Sequence, residues 1–413
     1  MQSNTRRISV RNKRKKEILS NQDLRNRILC YAAAAAALVL LCFAPSVQAQ
    51  TAVPAKPIFQ HLKEPFNIGG IGGIAATASD NVWAISALNP GHSVHFDGKS
   101  WSKQSLVKVG KDLLVISGVA TTSANDVWAV GRLVKGPFSQ EVVQHFDGTK
   151  WDAVRDVNLI GKTIQNAVVN SEALNSVTAF SPQDVWAAGF IASDTFLLPF
   201  VEHFDGTKWS VVGNILNLPN ISNEILQGIS AVSDTDVWAV GFFDENGQAG
   251  TADAFHFDGK KWTQIKTPQL FARFNAVTAI ASDDVWAVGF EDTNKFGTKS
   301  NTLAEHWDGK KWSVVPTPAN QKGVIQSEIN AVAAVNSHSV WMVGDTFDAF
   351  QEGPVLHWDG KQIKNISPLP QPPKGSVAEL AGVAAVPSGQ VWAAGGVLNL
   401  NLSSWFLFTD QGQ

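Results

Sequence analysis

Six histidines, His95, His145, His203, His256, His306 and His357, each stand two residues before an aspartate in the phrase His-aromatic-Asp-Gly. Imidazole and carboxylate together are the ligand types of a metal centre. Successive copies, however, lie roughly fifty residues apart in a chain that repeats. Each His therefore belongs to its own structural unit and cannot converge with the others. The expected role is to tie a turn to its own sheet.

The remaining chemistry lies in stretches that vary between copies. Arg132, Lys135, Phe138 and Glu141 fall in one such stretch, and Phe271, Arg273 and Phe274 in another. Acidic groups gather in three later stretches: Asp244, Glu245 and Asp253; Glu291 and Asp292; Asp345, Asp348 and Glu352. Carboxylates from neighbouring loops could hold Ca²⁺ or act as an acid/base pair on a glycoside. No spacing singles out one pair, so no catalytic residue and no metal ligand is assigned. The candidate ligand-binding residues are Arg132, Phe138, Asp244, Phe271, Arg273, Asp292 and Asp345.

Absences narrow the chemistry further. Beyond residue 49 there are three arginines (Arg132, Arg155, Arg273) and no Tyr or Cys. That composition disfavours a sialidase site, which needs an Arg cluster and a Tyr nucleophile, and excludes a Tyr–Cys copper-radical centre. No HExxH, P-loop, GxSxG or dinucleotide fingerprint is present.

The elements that position these residues follow from a second repeated phrase, Asp-Val-Trp-Ala-Val-Gly at residues 284–289 and, with drift, around Trp83, Trp128, Trp186, Trp238, Trp286, Trp341 and Trp392. Each unit reads as four short strands. Strand a is the alternating run before the Trp phrase, and a Ser/Asp-rich turn leads into strand b. Strand c ends at the His-aromatic pair, and an Asp-Gly turn leads into strand d. Strand b is apolar at nearly every position, as a sheet packed between two other sheets requires. Seven Trp phrases predict an all-β, seven-bladed propeller of four-stranded blades. The seventh unit lacks strand d. Phe59 to Pro65 carry the same aromatic, aliphatic and proline spacing as Trp262 to Pro268, so residues 57–66 are expected to complete the last blade and close the ring, leaving no open edge.

The layout resembles the kelch-type propeller, and it looks most like uncharacterised exported bacterial proteins with VWAVG and H[FW]DGxxW repeats. The resemblance covers residues 57–413 and implies fold more than activity. A single Gly replaces the kelch Gly-Gly doublet in the second to sixth units, and the pattern is not that of WD40 repeats.

Residues 1–49 carry nine Lys/Arg and two Asp/Glu around the apolar stretch 28–44, which predicts an export signal (the alternative being an uncleaved anchor), followed by a linker at 50–56. The rest has 24 basic against 34 acidic side chains, which argues against nucleic acid as a partner. Both cysteines, Cys30 and Cys42, lie in the signal, so packing alone must hold the exported part. Variable loops on a rigid scaffold are where binding is expected. The reading is a secreted or extracytoplasmic, monomeric, non-catalytic propeller whose b–c and d–a loops meet a glycan or a cell-surface protein. Membrane contact is expected only through an uncleaved N-terminal segment. The alternative is a lyase or glycosidase with carboxylates at the channel mouth.

Overall fold

The structure is a computed structural model that describes residues 59–61, 68–88, 91–109, 111–154, 157–218, 223–243, 250–268, 271–293, 299–320, 323–346, 353–366, 377–398 and 403–408. Two compact units are distinguished: Met1–Ala55 with Lys135–Phe138, and Lys56–Val134 with Ser139–Gln413. The expected signal and linker lie outside the described residues, as do Leu62 and Pro65 of the expected closing strand. No described helix is long and apolar enough to cross a membrane.

The chain forms an all-β propeller of four-stranded antiparallel blades. Six sheets take four consecutive strands each, in the order a-b-c-d. In the fifth these are Ala272–Ala281, Asp284–Asp292, Ser300–Trp307 and Trp312–Val314. A further four-stranded sheet joins Val377–Ala385, Val391–Leu398 and Ser403–Phe408 to Gln60–His61 from the other end of the chain. There Gln60 lies opposite Phe408 and His61 opposite Leu407.

Strand b is sealed on both faces: every residue of Asn81–Ser86 is buried, as is Val185–Ala192. Its closing Gly answers to a feature of strand a. In each repeat strand a carries a bulge near its middle, between Phe274 and Ala276 in the fifth and between Ile329 and Ala331 in the sixth. The bulge pushes a carbonyl towards strand b, so a Cβ at Gly289 would stand 2.0 Å from the Arg273 oxygen and one at Gly344 1.9 Å from that of Glu328. Any side chain there must displace backbone.

The strand-b tryptophans pack between blades rather than within them. The aromatic that opens strand d meets the Trp of the preceding repeat edge-to-face: Trp151 on Trp83 at 6.3 Å, Trp209 on Trp128 at 5.6 Å, Trp262 on Trp186 at 6.4 Å and Trp312 on Trp238 at 5.6 Å. Ile363, which replaces Trp in the sixth repeat, sits in one apolar cluster with Trp286. Phe59 is fully buried and meets Trp341 at 5.4 Å and 89°, while Trp101 meets Trp392 at 6.2 Å. These contacts follow the ring-edge geometry that aromatic quadrupoles favour.

Candidate functional site

At one end of the sheets the a–b and c–d turns abut. In the c–d turn the Asp carboxylate accepts backbone N–H groups two and three residues on, as Asp308 does from Lys310 and Lys311 at 2.9 Å each. The following Gly has positive φ (+85° at Gly309), and its absent Cβ would collide with Asp283 of the neighbouring turn. Hydrogen bonds from the Thr207 hydroxyl and then from backbone N–H groups hold the Asp205 carboxyl at about 2.

The repeated histidines complete this end structurally. Each ring lies on its own strand-b Trp, 4.1 Å from centroid to centroid for His203 on Trp186. The other ring edge bonds the residue two before that Trp: Nε2 of His145, His203, His256 and His306 lies 2.6–2.8 Å from Asp126, Asp184, Asp236 and Asp284. In the first and sixth repeats Asn81 and Ser339 take the place of the Asp. The partner is thus the Asp of the a–b turn, not the Asp two residues beyond the His, which caps its own turn. Burial lowers the pKa of His95 and His357. Burial would raise Asp126, but hydrogen bonds from His145 and Thr122 outweigh it and the pKa falls. Among the described residues no group of three or more His, Cys, Asp or Glu is arranged to hold a metal ion.

The opposite end carries the variable connections and a layer of chemically diverse pairs. Just beyond the strand-b Gly, and opposite the residue that precedes the strand-a bulge, cross-strand partners are Val115 and Arg132, Ala173 and Phe190, Ile225 and Phe242, Arg273 and Phe290, Glu328 and Asp345, and Glu379 and Gly396. Ala173, Phe190, Ile225 and Phe242 pack into one apolar cluster. The Arg273 guanidinium lies 4.6 Å from the Phe242 ring centroid and 5.8 Å from that of Phe290, within cation–π range. Beyond it stand the carboxyls. Burial, then the charge of Asp345, pushes Glu328 up to about 8. Asn275 Nδ2 donates to Glu328 Oε2 at 3.3 Å. Burial raises Asp345 too, and Glu379 reaches about 7 through burial and then Asp345. Burial raises Asp292 against the pull of Arg273. A separate pair, Glu224 with Asp253, holds Glu224 at about 10, chiefly by burial; Gln264 Nε2 donates to Asp253 at 2.7 Å.

Of the residues expected from sequence, the structure groups Arg273, Asp292 and Asp345 electrostatically. Arg132 takes the strand-b register position of Asp345 in the second repeat, one residue beyond the Gly. Phe271 is 42 % exposed at the start of a strand a with φ +59°, and Phe138 is 40 % exposed at a strand-c start. Asp244, with Glu245, lies outside the described residues. Glu328, Glu379, Phe242 and Phe290 were not singled out. Aligning the repeats on the strand-b Gly would have shown them, since each follows that Gly or faces the residue that does.

Exposed large apolar side chains gather at this end as well. Leu88, Leu113, Ile160, Val168, Phe271 and Ile325 lie on its connections or strand starts; Phe180 and Val314, of the same larger unit, do not.

No family model matches the chain, and no curated protein matches it. Solved structures do. A WD40 β-propeller domain of Doa1 aligns with TM-score 0.54 at 12 % identity over 86 % of this chain and 97 % of that one. YCF48 bound to a D1 peptide aligns with TM-score 0.53 at 11 % identity, over 86 % and 98 %. YCF48 from Cyanidioschyzon merolae aligns at 0.50 and 13 % identity, over 85 % and 98 %. At such identities the likeness shows the propeller fold alone; neither the kelch type nor any other repeat family is established.

Proposed function

We propose that this chain is an exported, monomeric, seven-bladed propeller that binds a polypeptide on its b–c/d–a end and carries out no catalysis. Seven blades are supported by the sheet that pairs Gln60–His61 with Ser403–Phe408, and by the Phe59–Trp341 and Trp101–Trp392 contacts, which continue the blade-to-blade pattern past both chain ends. Export is supported by the N-terminal basic and apolar run. The binding face rests on one observation: among the described residues of the larger unit, six of the eight exposed large apolar side chains lie at that end. Such exposure marks contact surfaces when it clusters at one end. Aliphatic Leu88, Leu113, Val168 and Ile325 suit peptide side chains better than a hydroxylated sugar. YCF48, a propeller of the same fold, is known bound to a peptide, an instance of what the scaffold can do.

The test is selection of displayed peptides on the purified full-length protein. Peptides so found should lose binding to a Phe271→Asp, Ile325→Asp variant and keep it with Phe180→Asp or Val314→Asp. Failure to select any peptide would sink the reading. The second reading, a carbohydrate-active enzyme, is favoured by Glu328 at about 8, a carboxyl that stays protonated near neutrality as a general acid must. Polysaccharide turnover, assayed with and without Ca²⁺ and lost on Glu328→Gln, would establish it instead.

A further inference from the structure

Two exposed apolar side chains stand at the ends of one row of backbone on the loop side of the fifth repeat. Phe271 precedes strand a, Asp292 ends strand b and Ser300 opens strand c of that blade, while Ile325 lies in the connection to the sixth. The Asp292 amide donates to the Phe271 carbonyl at 2.7 Å, Asp292 lies opposite Ser300, and the Ser300 amide donates to the Ile325 carbonyl at 3.1 Å. Neighbouring strands lie about 4.8 Å apart, so the row spans roughly 14 Å, the length of about four residue steps of extended chain. Such a chain presents its first, third and fifth side chains to one face.

Phe271 is held there against its backbone preference. Among the described residues four that are not glycine have positive φ: Gln165, Asn166 and Asn223, which carry amides, and Phe271 at +59°. A bulky side chain in that region is an outlier, and such strain gathers at ligand contacts. The charge around the row is lopsided. At the loop-side end of the fifth to seventh repeats the described carboxyls are Glu291, Asp292, Glu328, Asp345 and Glu379, and the described cations are Arg273 and Lys299. Glu328 is faced by Asp345 across its own hairpin and by Asn275 and Arg273 of the fifth repeat; Glu379 lies across from Gly396 and feels Asp345. A bound cation would favour the ionised forms of these carboxyls.

We propose that the loop-side rim of the fifth repeat, from Phe271 across Asp292 to Ile325, is the docking site for an extended polypeptide segment that carries a lysine or arginine between two apolar side chains. This rests on the reading that the loop-side end binds polypeptide, and it names the chemistry that end selects. A bare polyamine would leave both apolar ends uncovered, and an acidic segment would meet like charge.

The experiment uses the full-length protein and peptides selected on it by display. Each peptide is remade with Lys and Arg changed to Gln, and separately with its flanking apolar residues changed to Ser. The wild type should bind either version about 10-fold or more weakly than the parent, the scale of a lost hydrogen bond between charged groups. Asp292→Asn should bind parent and neutralised peptides alike. Affinity for the parent should rise between pH 6 and 8 as Glu328 and Glu379 lose their protons, and affinity for the neutralised peptide should not. Phe271→Gly accepts the left-handed backbone, so its Tm should not fall while its peptide affinity drops. A clear fall in Tm would show that the ring packs into the fold and would overturn the proposal. If Phe271→Asp, Ile325→Asp abolishes binding while neutralised peptides bind as their parents do, the basic residue is wrong and the peptide-binding end stands. If no peptide is selected, both fail. If poly-lysine displaces the selected peptides as well as they displace one another, charge alone is recognised and the apolar row is overturned.

Discussion

Replacing Phe59 by Ala tests whether the strand Gln60–His61 latches the propeller. Phe59 is fully buried, edge-on to Trp341 at 5.4 Å, in a cluster with Val343, Val355, Leu380, Val383, Val391 and Ala393. Removing a buried phenyl leaves a cavity and costs about 3–5 kcal/mol, of which ~0.5–1.5 kcal/mol is the ring–ring contact. If two-residue pairing with Ser403–Phe408 depends on this anchor, the loss should concentrate in one sheet. Urea denaturation should show the lower midpoint, and native-state hydrogen exchange should show the amides of 403–408 opening far more often than those of Ser300–Trp307 in the fifth blade. Gln60→Ala, exposed and next in sequence, should stay within about 0.5 kcal/mol of wild type. A Phe59→Ala protein within ~1 kcal/mol of wild type, with unchanged exchange at 403–408, would refute the latch and with it the count of seven blades.

Three further outcomes follow from the same structure. His203→Ala removes a 2.7 Å bond to Asp184 and a stack on Trp186, and should cost about 1–3 kcal/mol in chemical denaturation while leaving peptide affinity unchanged; a loss of binding instead would return the histidines to the site. Gly289→Ala drives a methyl to 2.0 Å from the Arg273 oxygen and should lower stability by about 1–3 kcal/mol or more, visible as a lower Tm. Glu379, raised from 4.5 to about 7, holds its proton more tightly in the folded state. Its stabilising contribution is full below the unfolded value and is lost as pH rises through about 7. Glu379→Gln should therefore flatten the decline in stability between pH 5 and 8, gaining about 1 kcal/mol over wild type at pH 8 once solvent screening is allowed for; an unchanged pH profile would contradict the raised carboxyl.

Much of the fold was written in the repeat itself. The apolar run Val285 to Gly289 predicted a strand buried on both faces, and Asp308-Gly309 predicted the c–d turn, because each depends on neighbours a few residues away. Even the two-residue strand near Phe59 was signalled by its match to Trp262. The Gly that ends strand b was visible as a recurrence, but its cause was not: a bulge carbonyl on another strand is a fact of register.

The candidate site was legible in its parts only. Arg273, Asp292 and Asp345 stood out as loop charges, yet Glu328 and Glu379 passed as ordinary residues of strand a, and the repeated His were read as turn ties without the a–b-turn Asp that each of four of them bonds. Sequence determined which units repeat and which faces they bury, since burial and turn chemistry are local and periodic. Tertiary structure alone decided that residues well separated along the chain, Arg273, Glu328 and Asp345, act on one another electrostatically, and that Glu379 feels the same Asp345. Charge interaction falls with distance in space, and distance along the chain does not report it.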